Sequence, residues 1–253
     1  DQLDEHSSAL ADFDSDRDVV LMAEVAEESI HVWSAKPRSA FFFAAMRHFA
    51  EALRTTHYSV DYRRIGTHDF ASLVDVLADA IKHYAPDKVV MVEPGDWRVE
   101  QQLSAFAAAP QAIKVNLVIR EDQHFMCSRT EFAEWAKGYK QLRLEYFYRM
   151  MRKRHGVMME GNAPVQGRWN FDAENRGAFP KGGPKPIPPA MRVAPDAITI
   201  GAIADVETYF AEHPGTLDAF AWPVTRRDAL SALKQFVDER LPMFGEFQDA
   251  MWT

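Results

Sequence analysis

Cysteine is almost missing from this chain: Cys127 is the only one in 253 residues. A disulfide framework is therefore excluded, and a zinc ribbon or an iron-sulfur cluster, which draws on about four cysteine ligands, cannot be held by these residues alone. Long apolar runs are missing too. Phe41-Phe42-Phe43 is a patch of three, far short of the roughly 18 uncharged residues of a membrane-spanning helix. No basic segment leads into an apolar stretch at the start, so no signal peptide is recognisable and the chain reads as a soluble protein of a reducing cytoplasm. The sequence holds no GxxxxGK[ST], no GxGxxG after a strand and no GxSxG, which removes the usual support for P-loop, dinucleotide and hydrolase chemistry. The nine histidines show neither HExxH nor paired spacing, and no metal site is expected from them.

Basic charge is scarce overall but concentrated. The formal net charge is −8, divided as −10 over residues 1–136, +8 over 137–195 and −6 over 196–253. A basic middle of this kind has the charge of a phosphate-contacting stripe, since binding a polyanion releases its condensed counterions. A solvated basic face has the same composition. Aromatic residues are interleaved with these bases: Phe132, Trp135, Tyr146 and Phe147 among Lys137, Lys140, Arg143 and Arg149. They suit either a nucleic-acid surface or a core whose outer side alone is basic.

The regular elements follow from periodicity. Val19-Val20-Leu21-Met22-Ala23 runs into Glu24, and Lys88-Val89-Val90-Met91-Val92 runs into Glu93: two short apolar runs, each ending in a carboxylate, predict buried parallel strands. Helical spacing over residues 40–54, alternation over 58–65, helical spacing over 70–84 and again over 99–109, then a strand over 113–119 complete a βαβ alternation. The expected fold class is α/β, a doubly wound parallel sheet with right-handed crossovers. Residues 1–135 form this domain, 136–195 a basic helix and interdomain linker, and 196–253 the first helices, near 199–212 and 225–241, of an incomplete all-α domain. The stretch Lys181-Gly182-Gly183-Pro184-Lys185-Pro186 is too rich in Pro and Gly for a regular element. Asp1-Gln2-Leu3 has no initiating Met, and an acidic loop (Asp12, Asp14, Asp16, Asp18) precedes the first complete strand. The expectation is that a first strand is missing, and that in a doubly wound order its place is mid-sheet.

Ligands of open α/β sheets bind beyond the carboxyl ends of strands. Glu24, Glu27 and Glu28 follow the first run and Glu93-Pro94-Gly95-Asp96-Trp97 the later one, which makes these the places for a small molecule; acidic helix starts have the same appearance. The most specific stretch is Gly167-Arg168-Trp169-Asn170-Phe171-Asp172-Ala173-Glu174-Asn175-Arg176, with two aromatics and many directional polar side chains.

With these residues the chain resembles the iron-sulfur bacterial cryptochromes and photolyases, also called deoxyribodipyrimidine photolyase-related proteins. The resemblance extends to Asp1-Gln2-Leu3, Ala45-Met46-Arg47-His48-Phe49-Ala50-Glu51, Glu93-Pro94-Gly95-Asp96-Trp97-Arg98, Glu145-Tyr146-Phe147-Tyr148-Arg149, Val224-Thr225-Arg226 and Gln248-Asp249-Ala250-Met251. It implies a Rossmann-like N-terminal domain holding a lumazine antenna, 6,7-dimethyl-8-ribityllumazine, and a helical domain holding FAD and a 4Fe-4S cluster, whose sites lie outside this chain. The implied activity of the parent protein is light-driven repair of (6-4) photoproducts in UV-damaged DNA, a lyase reaction, or else blue-light signalling. An unrelated nucleotide-binding α/β module is the remaining alternative. On the resemblance, Asp1, Glu28 and Phe42 match antenna-pocket positions with Gln2 and Glu24 beside them, while Arg176, Lys181 and Lys185 become DNA phosphate contacts. No catalytic residue is carried over.

Overall fold

The computed structural model describes residues 3–109, 115–184, 186–245 and 247–251. In chain order its elements are β1 (Val20–Ala23), α1 (Glu27–Ile30), α2 (Lys36–Thr55), β2 (Val60–Arg63), α3 (Leu73–Tyr84), β3 (Lys88–Val92), α4 (Trp97–Ala108), β4 (Asn116–Arg120), α5 (Arg129–Ala136), α6 (Leu144–His155), the short strands β5 (Met159–Glu160) and β6 (Ala163–Pro164), α7 (Ala197–Tyr209), α8 (Arg226–Gln235) and α9 (Leu241–Phe244). They form two compact units. The first takes residues 1–122 and 192–229, the second 123–191 and 230–253. No helix among the described residues is long and apolar enough to cross a membrane.

In the first unit the apolar runs become strands as expected. β1 pairs in parallel with β2, Val20 opposite Val60, and β3 in parallel with β4, Lys88 opposite Asn116. Each pair is joined by a helical crossover. The α/β class is thus present, with the described strands forming two two-stranded parallel sheets. Helices α3 and α4 start where side chains satisfy their first amides. Ser72 and Asp75 form a reciprocal capping box on α3, and the Asp96 side chain accepts from the Arg98 amide at the start of α4.

Two apolar clusters hold this unit. Leu77, Ile81 and Leu103, from α3 and α4, pack with Leu21 of β1 and with Val89 and Met91 of β3, so one helical layer covers both sheets. The other cluster joins α2 to α7: Ala40, Phe43 and Ala44 meet Ala202, Val206 and Phe210. Small residues on both helices allow this approach. Residues 197–209, which the sequence assigns to the opening of a helical domain, are therefore packed on the α/β unit.

The hydrogen-bond parity of the strands exposes an unused edge on each pair. The Val20 and Glu24 amides donate to the Ser59 and Arg63 carbonyls at 2.8 and 2.9 Å, and the Glu93 amide donates to the Arg120 carbonyl at 2.8 Å. Because successive residues alternate direction, Leu21 and Ala23 of β1, and Val90 and Val92 of β3, point their backbone groups away from their partners. Among the described residues no strand receives them. Amide hydrogen exchange should accordingly be slower at Met22 and Met91 than at Leu21, Ala23, Val90 and Val92. Equal protection of the two sets would show that the edges are covered in solution.

The second unit begins with α5, whose Ser128–Glu131 capping box repeats the device of α3. Phe132 and Trp135 of α5 meet Phe147 of α6 at ring-centroid distances of 5.2 and 5.0 Å, and Tyr139 lies 4.7 Å from Trp135. Gly156 ends α6 at φ +66°, a left-handed position that suits glycine. The chain then forms the β5–β6 hairpin and an irregular segment with 3-10 turns at Val165–Gly167 and Asp172–Glu174. No regular element occurs among the described residues from 177 to 195.

Candidate functional site

The carboxyl ends of β1 and β3 carry two groups of charged side chains. The first is closed. Glu24, at 1% exposure, accepts hydrogen bonds from Arg47 Nε and Nη2 at 2.7 Å each, from the Tyr62 hydroxyl at 2.6 Å and from the Ile65 amide at 3.0 Å. Arg47 Nη2 also donates to Asp205 Oδ2 at 2.5 Å, and Arg64 Nε donates to the same oxygen at 2.6 Å. The clasp thus connects β1, α2, β2 and α7. Burial raises the Tyr62 hydroxyl pKa well above the tyrosine range, with the Glu24 carboxylate adding to it. Burial alone would weaken the charged form of Arg47, but hydrogen bonds and charge from Glu24 and Asp205 outweigh it and hold the guanidinium protonated.

The second group is open. Glu28, at the start of α1 and 38% exposed, receives Arg98 Nη2 on both carboxylate oxygens at 2.7 and 2.8 Å. Arg98 Nη1 lies 3.2 Å from Glu27 Oε1, and Gln102 Nε2 donates to that oxygen at 2.8 Å. The Glu28 hydrogen bonds are the chief reason that the Arg98 pKa is raised against the effect of burial. Glu27 Oε2 and Arg98 Nε are buried with no hydrogen-bond partner, leaving one acceptor and one donor unused where β1 and β3 end. Trp97, next to Arg98, is 66% exposed.

Phe42 lies on α2, which is joined to α1 near its start. The Ser29 and Ser39 hydroxyls meet at 3.2 Å and tie α1 to α2, and Phe42 stands one turn beyond Ser39. Its half-buried ring lies edge-on to Phe41 at 5.9 Å, with the Arg38 guanidinium 5.5 Å from its centroid. A cavity of about 460 Å³ lies beside the Glu24 clasp instead, lined by Arg47, Tyr62, Arg64 and Gly201 among others; Glu28, Phe42 and Arg98 are not part of its wall.

Of the residues singled out in the sequence, Glu24 and Glu28 are thus placed in adjacent turns after β1, with Phe42 on the helix tied to them. Asp1, Gln2 and Lys185 lie outside the described residues. Arg176 and Lys181 are exposed in the second unit. Sequence reasoning missed Arg98, although its position two residues after a capping Asp at a strand-to-helix turn was a usable signal. It also missed Arg47, whose place between Phe43 and Ala50 on the buried stripe of α2 marks a base that needs an internal partner.

Comparison with known proteins adds the family. The deoxyribodipyrimidine photo-lyase-related protein family matches residues 1–222. A (6-4) photolyase of Agrobacterium fabrum is 43% identical over 252 residues, covering 99% of this chain and 49% of that protein; the chain spans about half the length of that relative. An uncharacterised protein of Acanthamoeba polyphaga mimivirus is 20% identical over 142 residues, covering 54% of this chain and 68% of that protein. The extent of the family match and the identity to the bacterial relative place this chain in the deoxyribodipyrimidine photo-lyase-related family.

Proposed function

We propose that this chain is the antenna-binding and linker part of a light-dependent DNA-repair protein, with 6,7-dimethyl-8-ribityllumazine as its chromophore and UV-damaged DNA as the substrate of the parent. The observation that carries this reading is the 43% identity to a protein named a (6-4) photolyase over 99% of the chain. The family's FAD and 4Fe-4S cluster would belong to other parts of the parent, since Cys127 alone cannot ligate a cluster. In this reading β2-β1 and β3-β4 are halves of one doubly wound sheet, completed by a further parallel strand between the open edges of β1 and β3.

The residues at the strand ends fit a polar heteroaromatic ligand. Phe42 supplies an apolar wall, and the unused Glu27 Oε2 and Arg98 Nε supply an acceptor and a donor suited to ring nitrogens and hydroxyls. A lumazine bound there would absorb light and pass excitation energy onward, which requires no acid, base or nucleophile from the protein. Glu28 and Arg98 hold each other and fix the two loops, and Glu24 acts behind them by tying the end of β1 to α2, the helix that carries Phe42. Asp1 and Gln2 remain proposed neighbours, and Arg176, Lys181 and Lys185 proposed phosphate contacts.

The test is an absorption and fluorescence titration of the purified chain with 6,7-dimethyl-8-ribityllumazine. Glu28→Ala should weaken binding about tenfold or more, because it releases Arg98, which the two Glu28 carboxylate oxygens hold in place. Phe42→Trp should weaken it by filling the slot. Unaltered affinity in both variants would move the site elsewhere, and absence of binding by the folded chain would mean either that the further strand completes the pocket or that the antenna assignment is wrong.

A further inference from the structure

The run around Trp169 has a role in the fold that its position in the sequence does not disclose. Arg149, Arg152 and Lys153 occupy one face of α6, spaced by three and four residues. All three converge on the same indole: the guanidinium carbons of Arg149 and Arg152 lie 5.3 Å from the Trp169 ring centroid and the Lys153 ammonium 5.5 Å. Arg152 is the buried member, at 6% exposure. It donates to the carbonyls of Val157 at 3.1 Å and Trp169 at 3.2 Å, to the Met158 carbonyl, and to the Tyr148 hydroxyl at 3.2 Å. Every one of these acceptors is neutral.

A buried guanidinium ordinarily has a carboxylate beside it. Among the described residues the only carboxylate paired within the group is Glu145, which holds Arg149 at 2.7 Å. Lys153 is exposed and makes no hydrogen bond or ion pair among the described residues. Three cations therefore share one carboxylate around a single ring, and the excess charge faces solvent through Lys153 and Arg149. An anion arriving from outside would supply the missing counter-charge.

We propose that this face of α6, with Trp169 as its organiser, is a contact for the phosphate backbone of a nucleic acid. The inference rests on the reading of the parent as a DNA-repair protein and adds residues that this reading did not contain. Lys153 and Arg149 are the contacting groups. Arg152 is a positioning residue that fixes the indole between its neighbours through the Trp169 carbonyl. The chemistry favours a polyanion over a free phosphate, because the cations lie on a helix surface whose affinity must be summed over many contacts. More bases continue in the same unit: Arg168 is stacked 4.3 Å from the Phe171 centroid, and Arg176 and Lys181 are exposed.

The experiment is fluorescence anisotropy of a labelled DNA duplex titrated with the whole chain over a series of NaCl concentrations, with Lys153→Ala, Arg149→Ala and Lys181→Ala compared. Lys153 is exposed, so its loss leaves the fold intact. Removing one phosphate contact should lower the slope of log affinity against log salt by about one, and Lys153→Ala and Arg149→Ala should each do so. Slopes unaltered in both but lowered by Lys181→Ala would place the contact on the loop, overturning this inference while leaving the DNA reading standing. Binding of poly-glutamate in preference to DNA would overturn it in favour of an acidic polypeptide partner. No DNA binding by the unmodified chain at low salt would overturn both.

Discussion

Replacing Arg47 by Met should cost about 3–5 kcal/mol of stability, the price of leaving one member of a buried ion pair without its partner. Glu24 would keep only the Tyr62 hydroxyl and the Ile65 amide at a position 1% exposed. Asp205 would retain Arg64, so the loss centres on Glu24. The double variant Glu24→Gln with Arg47→Met buries no charge at this pair and should recover a large part of the deficit, as buried pairs exchanged together for neutral groups often do. Urea unfolding midpoints at constant m report both values. A double variant as unstable as the sum of the two singles would show that the pair is not a coupled unit. The wild-type clasp also predicts a pH response. Burial tends to raise the Asp205 pKa, but the hydrogen bonds from Arg64 and Arg47 win and hold it below its ordinary value of 3.8. A depressed carboxylate contributes stability that is present above that value and is lost as pH falls through the folded-state pKa. The chain should lose this contribution only below about pH 4, and Arg47→Met should blunt the acid sensitivity by removing one of the two cations.

How much of this was legible beforehand depends on the range of the interactions. The runs ending at Glu24 and Glu93 became β1 and β3 because an apolar stretch of about five residues between turn signals has few other uses. The helices kept their predicted positions to within a few residues for the same local reason. The expected strand over 113–119 is Asn116–Arg120 in the structure, with residues 110–114 outside the described part. Glu24 was legible as a carboxylate at a strand end, but its partners Arg47 and Tyr62 lie 23 and 38 residues away. Nothing in its neighbourhood announced that all its acceptor capacity would be spent inside the fold. The same limit applies to α7. A helix near 199–212 was expected, and a Pro-rich segment before it suggested a new domain, but a helical pattern does not name the surface that will cover it. Tertiary packing assigned it to Ala40 and Ala44. Trp169 was marked by its unusual neighbours, while the three cations around it come from a helix some 16–20 residues earlier in the chain.

Gly66 is the position where a single methyl group should do most damage. It follows β2 in a turn at φ +77°, a region in which a side-chain-bearing residue is strained by roughly 1 kcal/mol or more. A Cβ built there would fall 1.8 Å from the Tyr209 hydroxyl oxygen and 2.3 Å from its Cζ, so the ring at the end of α7 covers the space that the glycine leaves. Gly66→Ala must therefore move Tyr209 as well as strain the turn, and a total cost of about 2–4 kcal/mol is expected. The two causes separate in a double-mutant cycle. Tyr209→Ala removes the obstructing ring, so Gly66→Ala introduced into that background should cost only the backbone part, about 1–2 kcal/mol. Equal costs in the two backgrounds would show that the tyrosine swings into solvent freely and that the turn alone requires glycine. A negligible cost in both would mean that the turn relaxes to negative φ, and that the close approach of α7 to the end of β2 does not depend on this glycine.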